Sequence, residues 1–404
     1  MLVGVAVVAG CTSAPVAPQG GQGTAGATYD VQIDASTPAF NLATTIYFPN
    51  ELRVHPGDTV RFTAVDRGEP HTVTLGTLVE DALAAIAKIP KDAPPGPPPS
   101  AVLKIPPAFA GQAPSSIDLR QSAMQPCFLA SGDPPARDAC SKEQQRQPEF
   151  SGTGSFYNSG FIPGRAVFSM KLASTVQPGT YTFICLFHGP GMTGKMTVVG
   201  AGEKASSPDE LKAQAAGQLE KAVQNLQPAI AQAKAASPAG AVLAGAADPT
   251  VHDALSSDFF PKTISVPTGG TVSWQIVVGH TISFNAPSDA VDLVVRATDG
   301  SFHLNNKAIF PVGWPGQPLP PGPGMEPAPG GPQPPLPGPP SGPPPPPLTT
   351  DAGAWDGKGF RSSGLIFQQG PQSPTYKVTF AQPGTYSYKC LIHVDMEGTV
   401  KVGP

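Results

Sequence analysis

The sequence predicts an all-β protein built from two sandwiches, and three observations support this class. Glycine and proline account for 45 and 52 of the 404 residues, about a quarter of the chain. Helix breakers at this frequency argue against a helical bundle and favour short strands joined by turns. A series of strand-like segments occurs twice, once in each half. A chain of this length also suggests about two or three domains.

Composition and charge narrow the functional classes. The net charge is -4, and no cluster of lysine and arginine occurs, so the sequence does not indicate nucleic-acid binding. Charged residues make up only 13% of the chain, whereas hydrophobic residues make up 40%. We therefore expect folded apolar cores alongside segments of low complexity.

Four segments of the first half return in the same order in the second half, which indicates a tandem duplication. The pairs are 57–62 (GDTVRF) with 269–274 (GGTVSW), 71–74 (HTVT) with 280–283 (HTIS), 156–162 (FYNSGFI) with 360–366 (FRSSGLI), and 177–181 (QPGTY) with 382–386 (QPGTY).

Each copy contains short runs of β-branched and aromatic residues between Gly/Pro turns, which are typical of strands. We therefore predict two Greek-key β-sandwiches, in residues 29–200 and 250–404. The predicted strands are 59–62, 72–75, 166–172 and 180–184 in the first copy and 271–278, 281–284, 376–380 and 385–388 in the second.

A helical linker is predicted between the copies, in residues 201–249. Ser207 is an N-cap, Pro208 suits the first helical position, and Glu210 completes a capping box. Pro228 is expected to kink or end the helix. Its apolar stripe is expected to pack on one of the sandwiches, with partner binding as the alternative; the stripe consists of Leu211, Ala215, Leu219, Val223, Leu226 and Ile230.

Both copies have a long insertion before their cysteine. In the second copy, residues 311–347 contain 19 prolines, so an insertion of about 311–349 is predicted to be disordered or polyproline-like. Residues 91–100 of the first copy are similar but shorter.

The N-terminus predicts export. Residues 1–10 form an apolar run of signal-peptide length that is too short to span a bilayer. The run ends at Cys11 in a sequence that resembles the bacterial lipoprotein box, whose cysteine is lipidated; an ordinary signal peptide is the alternative. With a flexible tether up to residue 28, the expected location is the bacterial cell envelope, on the outer face of the cytoplasmic membrane or at the cell surface or periplasm. The lipid anchor would be the only membrane contact.

Candidate metal ligands lie near the end of each copy, in residues 185–192 (CLFHGPGM) and 390–396 (CLIHVDM), with one histidine far upstream in the same copy. Two imidazoles, one thiolate and one thioether are the ligands of a blue-copper electron-transfer site, in which His₂Cys is trigonal and Met is a weak axial ligand. The candidate ligands are His71, Cys185, His188 and Met192, and His280, Cys390, His393 and Met396.

On these residues both copies resemble cupredoxins, the plastocyanin-like and amicyanin-like type 1 copper domains. The resemblance covers roughly 29–200 and 250–404 without the insertions. It implies one copper ion per copy and electron exchange through the exposed edge of the downstream histidine. The spacing from His393 to Met396 is that of amicyanin, whereas the first copy has a loop one residue shorter than that of plastocyanin. Thr72 and Thr281 stand where plastocyanins often have Asn. The resemblance therefore does not predict which hydrogen bonds surround the ligands.

The repeat and the cysteine count predict roles for three further sulfur-containing residues. Met196 aligns with Val400 and is expected to be a packing residue of a strand, with the axial-ligand role as the alternative. Cys127 and Cys140 are predicted to form a disulfide in an oxidising compartment, with a third metal site as the alternative. The remaining histidines have no ligand-like neighbours; they are His55, His252 and His303.

The sequence therefore predicts a non-enzymatic electron carrier with two type 1 copper ions that serves redox partner proteins. Copper sequestration or delivery would use the same ligands and stays the alternative. A two-domain copper oxidase or nitrite reductase is less favoured, because those enzymes need paired His-x-His segments and a histidine beside the type 1 cysteine. No His-x-His occurs, and the neighbours of Cys185 and Cys390 are Ile184, Leu186, Lys389 and Leu391. The partners and oligomeric state stay open.

Overall fold

The computed structural model describes residues 26–65, 70–89, 121–133, 135, 140–236, 240–248, 253–314, 348–368, 373–393 and 395–404. The predicted signal segment with Cys11, nearly all of the predicted tether, and residues 315–347 of the proline-rich insertion lie outside these ranges. Among the described residues, no helix has the length and apolar character needed to cross a bilayer.

Short strands dominate the described chain. In the first half they are β1 (Thr28–Ile33), β2 (Leu42–Thr44), β3 (Tyr47–Phe48), β4 (Glu51–Val54), β5 (Thr59–Ala64), β6 (Thr74–Leu75), β7 (Cys127–Leu129), β8 (Phe156–Asn158), β9 (Val167–Lys171), β10 (Gly179–Cys185) and β11 (Gly189–Val198). The helices there are α1 (Thr77–Ile86) and α2 (Gln121–Met124), and α3 (Pro208–Ala235) follows.

The second half repeats this texture. Its strands are β12 (Ala241–Ala247), β13 (Ala254–Phe260), β14 (Thr263–Pro267), β15 (Thr271–Ile276), β16 (Gly279–His280), β17 (Ser283–Phe284), β18 (Val294–Arg296), β19 (Phe302–Leu304), β20 (Thr349–Trp355), β21 (Arg361–Ser362), β22 (Ile366–Phe367), β23 (Thr375–Phe380), β24 (Gly384–Lys389) and β25 (Glu397–Gly403). Its helices are a 3₁₀ turn at Ser288–Ala290 and α4 (Asn306–Ile309).

The first sandwich packs a sheet of order β3-β1-β5-β9 against one of order β4-β11-β10-β6-β8-β7. Alternation along the strands sets the inward face: in β5, Val60 and Phe62 are buried while Arg61 between them is exposed. Aromatic rings fill the space between the sheets, with the Phe183 ring 4.8 Å from Tyr47 and 5.3 Å from Phe62 in edge-to-face contacts. These strands place β10 and its terminal Cys185 in the middle of a sheet.

The second sandwich pairs its strands in the same pattern. In both halves an N-terminal strand runs parallel to the strand after the Gly turn, β1 to β5 and β12 to β15. In both halves the last strand pairs antiparallel with the strand that leads to the candidate cysteine, β11 with β10 and β25 with β24. Trp274 takes the place of Phe62 and packs on Phe284 and Tyr388, with centroids 5.8 and 5.2 Å away. The predicted all-β class with β-sandwiches is confirmed.

Two elements join the sandwiches. Strand β2 leaves the first half and pairs with β13 of the second. Helix α3 lies over this junction, where Leu226 and Ile230 are buried in a cluster that also contains Phe48 and Phe260. The apolar stripe therefore packs on both sandwiches, whereas the sequence led us to expect packing on one. At this junction each sandwich presents apolar strand residues that the helix buries.

The bounds of the linker need correction, and of the two outcomes expected at Pro228, a kink or an end, the end does not occur. The region 201–249 is not helical throughout, because β12 at Ala241–Ala247 is already a strand of the second sandwich. Pro228 does not end the helix, which continues to Ala235. Packing of the following turns, including buried Ile230 and Ala233, outweighs the loss of one backbone hydrogen bond at proline. The capping box at Ser207 and Glu210 is present as expected.

Candidate metal centres

The first candidate centre lies at one end of the first sandwich. His71 bridges to Ile162 just before β6, Cys185 ends the neighbouring strand β10, and His188 follows in the turn to β11. Because β6 and β10 pair directly, residues 114 positions apart in the chain meet at one place. The ligand atoms of these three residues lie within 4.8 Å of one another.

The second centre has the same arrangement and a closely defined triangle. His280 is on β16, Cys390 follows β24, and His393 lies three residues further. The two Nδ1 atoms of the histidines are 2.9 Å apart, and the Cys390 sulfur lies 3.5 Å from Nδ1 of His393 and 3.9 Å from Nδ1 of His280. All three side chains are buried.

The two candidate methionines are fully buried beside these triangles. Met396 is tied in through its backbone, because its carbonyl accepts from the N–H of Cys390 and its N–H donates to the carbonyl of His393. Met192 on β11 belongs to the apolar cluster that contains Cys185. Met196 pairs with Tyr181, and Val400 pairs with Tyr386 in the same way. Met196 is thus a buried strand residue and not part of the ligand loop.

The electrostatics of both cysteines favour a thiolate. Burial raises the pKa of Cys185, but His188 and His71 lower it more, so that its pKa lies well below the usual range. The same balance with His393 and His280 places the pKa of Cys390 well below that range. In addition, the backbone N–H groups of Thr72 and Thr281 each point at the neighbouring sulfur from 3.4 Å. A thiolate is the form that binds a soft metal.

The threonine after each upstream histidine holds the ligand loop. The Thr72 hydroxyl accepts a hydrogen bond of 2.9 Å from the N–H of Leu186, and the Thr281 hydroxyl accepts one of 2.7 Å from Leu391. Each leucine directly follows the candidate cysteine ligand. These contacts answer what sequence reasoning left open at Thr72 and Thr281, and the repetition of threonine at both positions was the available signal.

The repeated Ser-Gly segment fixes the upstream histidine strand from its other side. Ser159 accepts from the N–H of Val73 at 2.8 Å, and Ser363 accepts from Ile282 at the same distance. The glycine that follows has φ 71° in the first half and 67° in the second, a left-handed conformation that favours glycine. The repeat therefore preserves a support for the site as well as the ligands.

A buried carboxylate faces the first centre and was not found from the sequence. Oδ2 of Asp34 lies 3.6 Å from Nε2 of His71, and both side chains are fully buried. Burial lowers the pKa of His71, but Asp34 and Cys185 raise it, with a net value of about 9. Asp34 and His71 are 37 residues apart in the chain and meet only in the folded protein, so no local sequence pattern predicts their contact.

The exposure of the downstream histidines differs from the expectation. His188 is half-buried, so part of this residue stays exposed. His393 is only 4% exposed, so the expected exposed edge is wrong for the second centre. The apolar neighbours Leu391 and Ile392 are buried in the same cluster as the second sandwich core, which closes this end.

The other predicted residues lie away from the triangles. Cys127 and Cys140 form a disulfide beside α2. Nε2 of His55 contacts the carbonyl of Glu203, and His303 contacts Ser301. His252, Cys11 and residues 315–347 of the proline-rich tract lie outside the described residues. The predicted disordered bounds of 311–349 are too wide, because Val312 bridges to Ser362 and Thr349 begins β20. Within the described ranges, the two triangles are the clusters of three or more His, Cys, Asp or Glu residues that could hold a metal.

The residues present fit copper. A metal ion about 2.0–2.3 Å from nitrogen and sulfur ligands spans a triangle of the size measured at the second centre. In the first centre, Nδ1 of His71 is buried without a hydrogen-bond partner among the described residues, as expected of a nitrogen reserved for a metal. One thiolate, two imidazoles and a buried thioether are the donor set that favours copper.

Comparisons with known proteins give only structural matches. No family model and no curated protein matches this chain. Among solved structures, similar chains include reduced auracyanin from the photosynthetic bacterium Roseiflexus castenholzii, with 16% identity over 43% of this chain and 97% of that one and a TM-score of 0.21. Auracyanin B (17%, 44% and 93%, TM-score 0.22) and a variant of amicyanin in the Cu(I) form (14%, 43% and 82%, TM-score 0.20) are further examples.

Proposed function

We propose that this protein is a copper-binding electron-transfer protein with two type 1 centres, exported and tethered to the cell envelope through Cys11. The observation that carries the proposal is the pair of His–Cys–His triangles, buried except for the half-buried His188, each with a buried methionine at its side. Copper bound there would take up and release one electron by alternating between Cu(II) and Cu(I).

The chain's own contribution is a site held in place before the metal binds. The hydroxyls of Thr72 and Thr281 accept hydrogen bonds from the backbone N–H that follows each cysteine and so fix the loop. Buried ligands on paired strands move little when the charge of the metal changes, and small rearrangement favours fast electron transfer. We propose that redox partners approach the first centre at His188, since this histidine is the more exposed of the two.

Copper delivery would use the same donors and is the alternative; we propose electron transfer on the burial of the second centre. Rapid release of the metal needs access for a competing ligand, whereas His280, Cys390 and His393 are all buried. We also propose that the protein is not a copper oxidase, because His55 and His303 each make contacts away from both centres.

Copper titration of the purified protein tests the proposal. We expect two copper ions per chain and an intense thiolate–Cu(II) absorption in the visible range. Cys185→Ser and Cys390→Ser should each remove one centre's share of this band, about half if the centres absorb equally, and the double variant should remove all of it. The disulfide variant Cys127→Ser/Cys140→Ser is the matched control and should keep both bands. If neither single variant changes the spectrum, the assignment of the sites is wrong.

A further inference from the structure

The two centres differ at one position that lies against the upstream histidine. Val31 on β1 pairs with Phe62, and Val242 on β12 pairs with Trp274, so the two valines occupy equivalent positions. Three residues further, the first half has Asp34 with φ 63° and the second half has glycine with φ 89°. The same left-handed turn therefore carries a carboxylate in one half only.

Asp34 is held so that one oxygen is left for the imidazole. Its Oδ1 accepts hydrogen bonds from the N–H of Ala35 (2.6 Å) and from both the N–H and the hydroxyl of Thr44 (2.7 Å each). Its Oδ2 has no hydrogen-bond partner among the described residues and faces Nε2 of His71 at 3.6 Å. A carboxylate fixed on one side of a histidine orients the ring and presents the opposite nitrogen to a metal.

The second centre has no room for this group. A Cβ atom placed on Gly245 would lie 2.5 Å from Nε2 of His280. The imidazole occupies the space that an aspartate side chain would need. The two centres are therefore chemically unequal, although their metal ligands are the same.

We infer that Asp34 is a positioning residue that orients His71 and stabilises Cu(II) over Cu(I) at the first centre, lowering its reduction potential. This inference rests on the proposed function. A buried negative charge close to the metal favours the oxidation state of higher positive charge, because charges interact strongly in a medium of low dielectric constant. At the equivalent position the second centre has Gly245, which carries no charge. Taken alone, this contribution makes electron transfer from the first centre to the second more favourable.

The test isolates the first centre within the full-length chain. In a Cys390→Ser background, Asp34→Asn is compared with its parent by competition for Cu(II) against a chelator and by the potential read from the thiolate–Cu(II) band. Asparagine keeps an acceptor for Thr44 and tolerates the left-handed turn. We expect a 10- to 100-fold loss of Cu(II) affinity, as is typical when such a partner is removed. Each tenfold loss relative to Cu(I) raises the potential by about 59 mV.

Two further variants separate positioning from general effects. Asp58→Asn removes another buried capping carboxylate of the same sandwich, which accepts from the N–H groups of Ala27 and His55, and should leave affinity and potential unchanged. Asp34→Gly reproduces the residue of the second half and should act like Asp34→Asn; it serves if the asparagine variant does not fold.

The outcomes distinguish the two proposals. If the parent forms the band while both Asp34 variants keep its affinity and potential, the inference is wrong and the proposed function stands. Equal shifts in the Asp34 and Asp58 variants would also overturn it, since they would report loss of charge in general. A parent that takes up no copper would refute the proposed function at this centre and the inference with it.

Discussion

Removal of the Thr281 hydroxyl is expected to destabilise the second sandwich even without copper. The hydroxyl accepts a 2.7 Å hydrogen bond from the N–H of Leu391, and both residues are fully buried. Valine has nearly the same shape but no acceptor. Thr281→Val therefore leaves a buried backbone donor without a partner, which costs about 1–3 kcal/mol.

Urea unfolding followed by tryptophan fluorescence measures this loss in the relevant half. All three tryptophans, Trp274, Trp314 and Trp355, are in the second half of the chain. With a urea dependence of about 2 kcal/mol per M, the midpoint should fall by roughly 0.5–1.5 M. The matched control is Thr385→Val on β24, where the side chain is exposed and the change should stay within about 0.5 kcal/mol. A midpoint for Thr281→Val no lower than that of the control would refute the proposed role of this hydrogen bond.

Two further predictions concern the start of α3 and the disulfide. Hydrogen bonds from Lys204 and Ser207 lower the pKa of Glu210 from 4.5 to about 2. A carboxyl group with a lowered pKa contributes stability that is present above about pH 4.5 and is lost as the pH falls toward 2. In Glu210→Gln, the thermal unfolding temperature should therefore depend less on pH across this range than in the parent protein. Reducing Cys127–Cys140, which closes a separation of 13 residues, should cost about 3 kcal/mol in the chain-entropy model; an unchanged midpoint in reductant would contradict it.

Local pattern was sufficient for the class of fold. In segments such as 59–62 and 376–380, apolar residues alternate with more polar ones. Successive side chains of a strand point to opposite faces, so this alternation shows which face packs on the core. The start of α3 at Ser207 and Pro208 was equally local, because capping groups act within one turn. The end of that helix could not be predicted locally. The helix continues beyond Pro228 because Ile230 and Ala233 are buried against both sandwiches.

Some elements depend on tertiary contact and were not predicted from the sequence. Strand β2 at Leu42–Thr44 is three residues long and forms only because β13 offers it a partner more than 200 positions away. Helix α1 and the pair β18–β19 were likewise not predicted, because such short elements are stabilised by packing more than by their own propensity.

The sequence by itself determined the candidate metal ligands, because the Cys–x–x–His spacing and its repetition are properties of the chain. The sequence also predicted two similar series of strands, because the hydrophobic pattern of a strand lies in its own consecutive residues. Only the tertiary structure decided how the two candidate centres differ. Asp34 reaches His71, Gly245 leaves His280 without a carboxylate from that position, and His393 is closed in while His188 keeps an edge. These differences arise from contacts between residues far apart in the chain, whose distances no local pattern contains.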